Sequence, residues 1–145
     1  MGSRMGSTSV LVVSSRSRYC GLPVDHVVET FRPLPTEPLG QAPAFVRGMA
    51  QVRGEPVPVV DLAQLLGDGS VGEVTRYVSL RVGERKVALA VGAVLSLREI
   101  APAAMRALPP LLAEGAPAVE ALASLDAGLC LVLRAARLLP AEDLA

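Results

Sequence analysis

An all-β fold class, assembled from two copies of one small motif, is what this sequence predicts, and three observations carry the prediction. Apolar residues alternate with polar or small ones in short β-branched runs. The clearest are Val78, Leu80, Val82 and Val87, Leu89, Val91, joined by Gly83-Glu84-Arg85-Lys86 as a hairpin. Prolines fall into two internal clusters of four, Pro33, Pro35, Pro38, Pro43 and Pro102, Pro109, Pro110, Pro117, and neither cluster can be a central strand or a continuous helix. The chain also matches itself. A shift of 73 residues carries Gly48-Met49-Ala50-Gln51-Val52 onto Ala121-Leu122-Ala123-Ser124-Leu125, Val57-Pro58-Val59-Val60 onto Cys130-Leu131-Val132-Leu133, and Leu65-Leu66 onto Leu138-Leu139. A shift of 67 carries Cys20, Leu22, Val24 and Val27 onto Val87, Leu89, Val91 and Val94. Each half therefore repeats hairpin, strand, proline loop, strand-turn-strand and short helix. So few residues cannot build a wide sheet, but a small sheet curled on itself protects its edges.

Val10 to Val13 is a first strand, followed by the polar connection Ser14 to Arg18 and a second strand from Tyr19 to Val24. Val27, Val28 and Phe31 read as extended, although Asp25 ahead of them could cap a helical turn. The first proline cluster is a loop. Val46, Met49 and Val52 then lead through the turn Arg53-Gly54-Glu55-Pro56 into Val57, Val59 and Val60. Pro56 and Pro58 lack N–H groups two residues apart, so that edge should be unpaired or bulged. Asp61 can accept from the first free N–H groups of a helix over Leu62–Leu66, and Gly67 supplies its stop. Asp68-Gly69-Ser70-Val71-Gly72 is a connector. A phosphate loop is disfavoured there, because no lysine follows at the required spacing. After the clear hairpin, Val94, Leu95 and Leu97 extend the strand pattern, and Ala103 to Leu108 suits a helical turn after Pro102. Leu122 to Leu133 forms a last strand pair around Asp126-Ala127-Gly128, and Ala135 to Leu139 a last short helix.

Composition narrows the function. The 145 residues suffice for one domain over 8–145, and residues 1–7, MGSRMGS, read as an added leader. Acidic and basic residues balance, 14 against 14, and are interleaved, which leaves no footprint for nucleic acid. At 51% hydrophobic and 19% charged, the chain should keep apolar surface outside its core, and such patches mark docking surfaces. One histidine, no HExxH, no GxSxG and no Cys/His cluster leave triad and metal chemistry without parts, so an enzyme, a metal site and a cofactor are all unexpected. His26 reads as a solvated or core-edge residue, and Cys20 and Cys130 as buried free thiols suited to a reducing cytoplasm. No window of eighteen apolar residues suggests a membrane span.

The run Gly48 to Leu66, with Arg53-Gly54 at its turn and Pro58-Val59-Val60-Asp61-Leu62 after it, resembles the signature segment of CheW-like chemotaxis coupling proteins. The resemblance covers nearly all of Val10 to Leu139 and is sharpest between Pro43 and Leu66. It implies two SH3-like five-stranded β-barrels packed side by side with short helices, the first over about 8–67 and the second over about 75–140. It also implies a cytoplasmic adaptor, not an enzyme, that binds the tip of a chemoreceptor and couples it to the regulatory domain of a histidine kinase. On that resemblance Val27, Arg53, Ala88, Val94 and Leu97 contribute to receptor binding in a groove between the barrels, and Glu29, Arg47 and Gly48 to kinase binding on an outer surface. An apolar groove would take the stripe of a helical hairpin, with the Arg53 guanidinium adding directed hydrogen bonds at its rim. By residue type alone Val27, Val94 and Leu97 would equally be core. Departures from the family pattern gather in the second half, where Gly92 stands for a usual Asp and Ala88 and Ala121 for usual glycines. They suggest an adaptor whose kinase coupling is weakened or redirected. The alternative reading is a structural protein joining other adaptors or kinases in an array.

Overall fold

The computed structural model describes residues 6–16, 18–67, 72–126 and 128–140. Most of the leader, most of the connector, Ala127 of the last predicted turn and the last five residues lie outside the described residues. Twelve strands form two six-stranded sheets. One has the order β10(Met105–Ala107), β11(Val119–Leu125), β12(Gly128–Leu133), β2(Arg18–Pro23), β1(Thr8–Ser15), β9(Ala93–Ile100). The other has the order β3(Val27–Phe31), β7(Arg76–Val82), β8(Arg85–Val91), β6(Glu55–Asp61), β5(Val46–Val52), β4(Thr36–Glu37). Each therefore has five longer strands and one of only two or three residues.

The two sheets follow the repeat but not the sequence division into 8–67 and 75–140. Hairpin β1–β2 belongs to the first half in sequence, yet it completes the sheet of β9–β12; hairpin β7–β8 completes the sheet of β3–β6. The joints are parallel ladders, β12 to β2 and β6 to β8. Shifts of 73 and 67 residues superpose the pair Val59–Ala88 on the pair Val132–Gly21, so both joints have one register. In the β6–β8 joint the ladder starts only at Val59, because Pro58 and Pro56 have no N–H to offer β8. The same shifts superpose the bulges. Val28 in β3 matches Leu95 in β9, and Arg47 in β5 matches Glu120 in β11.

The central strands β1, β6 and β8 are buried on both faces, which explains their unbroken apolar runs, whereas β5 and β11 alternate. Val87, Leu89 and Val91 of β8 face a core between the two sheets, shared with Leu11, Val13, Leu22, Val60 and Leu133. Ala88 and Ala90 of the same strand face a second core inside their own sheet, with Val57, Val59 and Tyr77. Val10, Val12, Cys130 and Val132 build the equivalent core of the other sheet. Cys20 and Cys130 are both buried as expected, and their neighbouring strands send them to different cores.

Smaller elements divide between agreement and correction. Asp61 caps helix α1(Leu62–Leu65) by accepting from Gln64 N at 3.1 Å, and Gly67, at φ 85°, closes it. Val27, Val28 and Phe31 are extended, in β3, and the 3-10 turn Val24–His26 that precedes them contains Asp25 but has no side-chain cap. The helical turn expected over Ala103 to Leu108 is instead a 3-10 turn, Pro102–Ala104, and strand β10. Helix α2(Pro110–Gly115) lies in what reads as loop; Pro110 sits at its first turn, where a missing N–H costs nothing, and the Leu-Leu-Ala-Glu that follows favours helix. The terminal helix is a 3-10 turn over Ala135–Leu138.

Candidate functional site

At one end of the molecule, β3 and the β5–β6 turn are tied together. Arg53 holds the turn at φ 53°, in the left-handed region, and donates two hydrogen bonds to Glu29 of β3, from Nη2 to Oε1 at 2.8 Å and from Nε to Oε2 at 3.1 Å. The guanidinium holds the Glu29 carboxyl below its ordinary range, and Glu29 raises Arg53 in turn. Since β3 is an edge strand and β5–β6 lies at the far side of the same sheet, the pair spans the curl of that sheet. Arg47, the bulged residue of β5, lies outside with Nη1 3.7 Å from the buried carboxylate of Asp61.

The other end has a comparable tie with the charges reversed, its strand partner lying two residues further along, since Glu29 matches Ser96 and Arg98 matches Phe31. Asp126 occupies the place of Arg53, again left-handed at φ 47°, and accepts from Arg98 of β9 at 2.9 and 3.3 Å. Arg98 keeps the Asp126 carboxyl low. Here the surroundings are apolar. Leu129 is 60% exposed, and Leu95 and Tyr19 49% each, while Leu97, 68% exposed, pairs with Leu11 on the face of β9 opposite to Arg98. A groove of about 390 Å³ runs between β9 and the β11–β12 turn, lined by Val12, Tyr19, Leu95, Leu125 and the Arg98–Asp126 pair.

The residues expected to bind the receptor differ in how far they reach solvent. Val27 and Val94 are half-buried against the core between the sheets. Leu97 is exposed on β9, and Arg53 is 79% exposed at the charged end. Ala88 is fully buried inside its own sheet, so it corrects to a packing residue; β8 is sandwiched between two cores and no partner reaches its side chain. The structure also joins what the resemblance assigns to separate partners, because Arg53 and Glu29 form one ion pair. Of the residues expected to bind the kinase, Glu29 and Arg47 reach the surface. Gly48 is buried at φ 143°, and a Cβ there would fall 2.0 Å from the Glu37 carbonyl oxygen, so glycine is what lets β4 close on β5.

Leu95, Tyr19 and Leu129 are surface residues that patterning alone does not distinguish from core. Comparing the halves marks out Tyr19 and Leu129, though not Leu95, whose counterpart Val28 is apolar and exposed as well. The shifts that superpose the repeats set Tyr19 against Lys86, Leu129 against Pro56 and Leu97 against Thr30.

The two sheets are duplicates that interlock, with exposed leucines near one ion pair and exposed charge at the other. Among the described residues no group of three or more His, Cys, Asp or Glu is placed to hold a metal, and no helix is long and apolar enough to cross a membrane. The chain belongs to the CheW-like domain family, whose model matches residues 9–143. It is 36% identical over 93 residues to Protein FrzA of Myxococcus xanthus, a match covering 63% of this chain and 58% of that protein. Its fold matches that of the scaffolding protein TtCheW from Thermoanaerobacter tengcongensis with a TM-score of 0.77 at 24% identity, over 88% of each chain.

Proposed function

We propose that this chain is an adaptor of chemotaxis-type signalling, working in the cytoplasm without catalysis, that binds the tip of a chemoreceptor and links it to the regulatory domain of a histidine kinase. Family membership supports this reading, and the observation that carries it is the difference between the two ends on one backbone. Leu95, Leu97, Tyr19 and Leu129 present apolar surface that a folded monomer has no reason to keep in water, whereas Glu29, Arg47 and Arg53 present oriented charge. Two chemically different faces on one rigid body suit two different partners.

Leu97, with the half-buried Val27 and Val94, offers apolar contact to a helical hairpin, and Arg53 still has unused N–H donors beyond its two bonds to Glu29. Arg47 and Glu29 serve the kinase. Co-sedimentation with a receptor signalling fragment, with and without the kinase, tests the reading. Receptor-dependent pelleting that is lost in Arg53→Glu, with circular dichroism unchanged, is expected; pelleting untouched by that change moves the contact elsewhere. Tight ternary assembly would remove the idea that kinase coupling is weakened, and failure to pellet with any receptor fragment would overturn the adaptor reading.

A further inference from the structure

Near one seam between the two sheets lies a narrow cleft lined by Ser15, Arg16, Asp61, Ala63, Gly72 and Gly92 among others. Two of its side chains are 2% exposed, Ser15 at the end of β1 and Asp61 at the end of β6, and they belong to different sheets. Asp61 Oδ1 is occupied by the Gln64 N–H, but Asp61 Oδ2 and Ser15 Oγ have no hydrogen-bond partner among the described residues. Arg47 Nη1 stands 3.7 Å from Oδ2, too far to donate a hydrogen bond. Buried polar atoms are almost always satisfied, by protein or by ordered water. The cleft has about 10 Å³ of room for the centre of a water-sized sphere, roughly what a single water molecule needs.

We infer that this cleft is a binding site for one structural water, which accepts a hydrogen bond from the Ser15 hydroxyl and donates one to Asp61 Oδ2, stapling β1 of one sheet to β6 of the other. The chemistry is specific to one seam. The repeat sets Ser15 against Val82 and Asp61 against Arg134, and neither of those can build the same bridge. Near the cleft, Gly92 N donates to Ser14 O at 2.8 Å, so the strands that would hold the water are already fixed by backbone.

A high-resolution crystal structure of the full chain tests it, with magnetic-resonance detection of water-to-amide cross-peaks at Gly92. One density peak within hydrogen-bond distance of both Ser15 Oγ and Asp61 Oδ2 is expected, together with a cross-peak that Ser15→Val removes by filling the cleft. If that variant fails to fold, Ser15→Ala should weaken the same cross-peak. A direct protein partner for both oxygens, an empty cleft, or a peak at the shorter distances of about 2.4 Å typical of a bound cation would each overturn the water. So would a cross-peak indifferent to both substitutions.

Discussion

The two ends of this molecule share a backbone and differ in what they show to solvent. Both have a bulge in the edge strand, at Val28 and at Leu95, both have a left-handed residue at the turn, Arg53 and Asp126, and both tie turn to strand with an ion pair. Yet Lys86, Pro56 and Thr30 on one sheet become Tyr19, Leu129 and Leu97 on the other. Positions facing the cores remain aliphatic in both halves because packing allows little else, while positions facing outward have diverged. Surface chemistry, not architecture, distinguishes the ends.

The comparison breaks most readily at Gly48 and its counterpart Ala121. Gly48→Ala drives a Cβ into the Glu37 carbonyl and should cost about 3 kcal/mol or more in urea unfolding, since both overlap and backbone strain oppose it. Ala121→Gly, at the matching bulge, should cost only about 1 kcal/mol, from lost packing and added chain entropy. Equal losses would mean that the close approach of β4 at Gly48 carries no special cost. Next in size is partner binding: Leu97→Glu should weaken association with a receptor fragment at least about tenfold, as truncated interface anchors do, while Thr30→Glu at the matching place leaves it unchanged. Isothermal calorimetry separates the two.

Exchanging charges sharpens the comparison more gently. Arg53→Asp alone breaks the ion pair, and adding Glu29→Arg rebuilds it with the polarity of the other end, so the double variant should recover the thermal midpoint lost by the single one. The smallest effect is in pH. Glu29 and Asp126 are both depressed in the folded state by their arginine partners, so their stabilisation is complete above the ordinary carboxylate pKa of about 4 and disappears as pH falls through the lowered value. Stability should therefore decline only on the acid side, to a similar small extent for both ends. Because all four groups are exposed, added salt should shrink it further.

Much of the fold was legible because it is written twice. Period-two alternation, the paired proline loops and the 73-residue shift reveal the motif, and Asp61 and Gly67 mark a helix whose cap and stop are both observed. The exchange of hairpins was not legible. Cys20 resembles Val87 locally whichever sheet it joins, and the deciding contacts, the parallel ladders, lie far apart in sequence. The signal was indirect: a strand buried on both faces, such as Val87 to Val91, has to sit between two cores. Ala88 was placed at a binding surface by the resemblance alone, and a small residue in an apolar run gives no signal of its own to correct that. Arg53 was legible as a turn residue, but its bond to Glu29 depends on how the sheet curls, which the intervening loop does not encode.

Because each sheet is completed by a hairpin lent from the opposite half, neither half owns a finished unit. A break within the 68–71 connector would leave two pieces, each short of its middle strands, that regain structure only by finding one another. The chain should accordingly lose its structure in a single step, and no gene truncated at its own midpoint should yield a working half-protein.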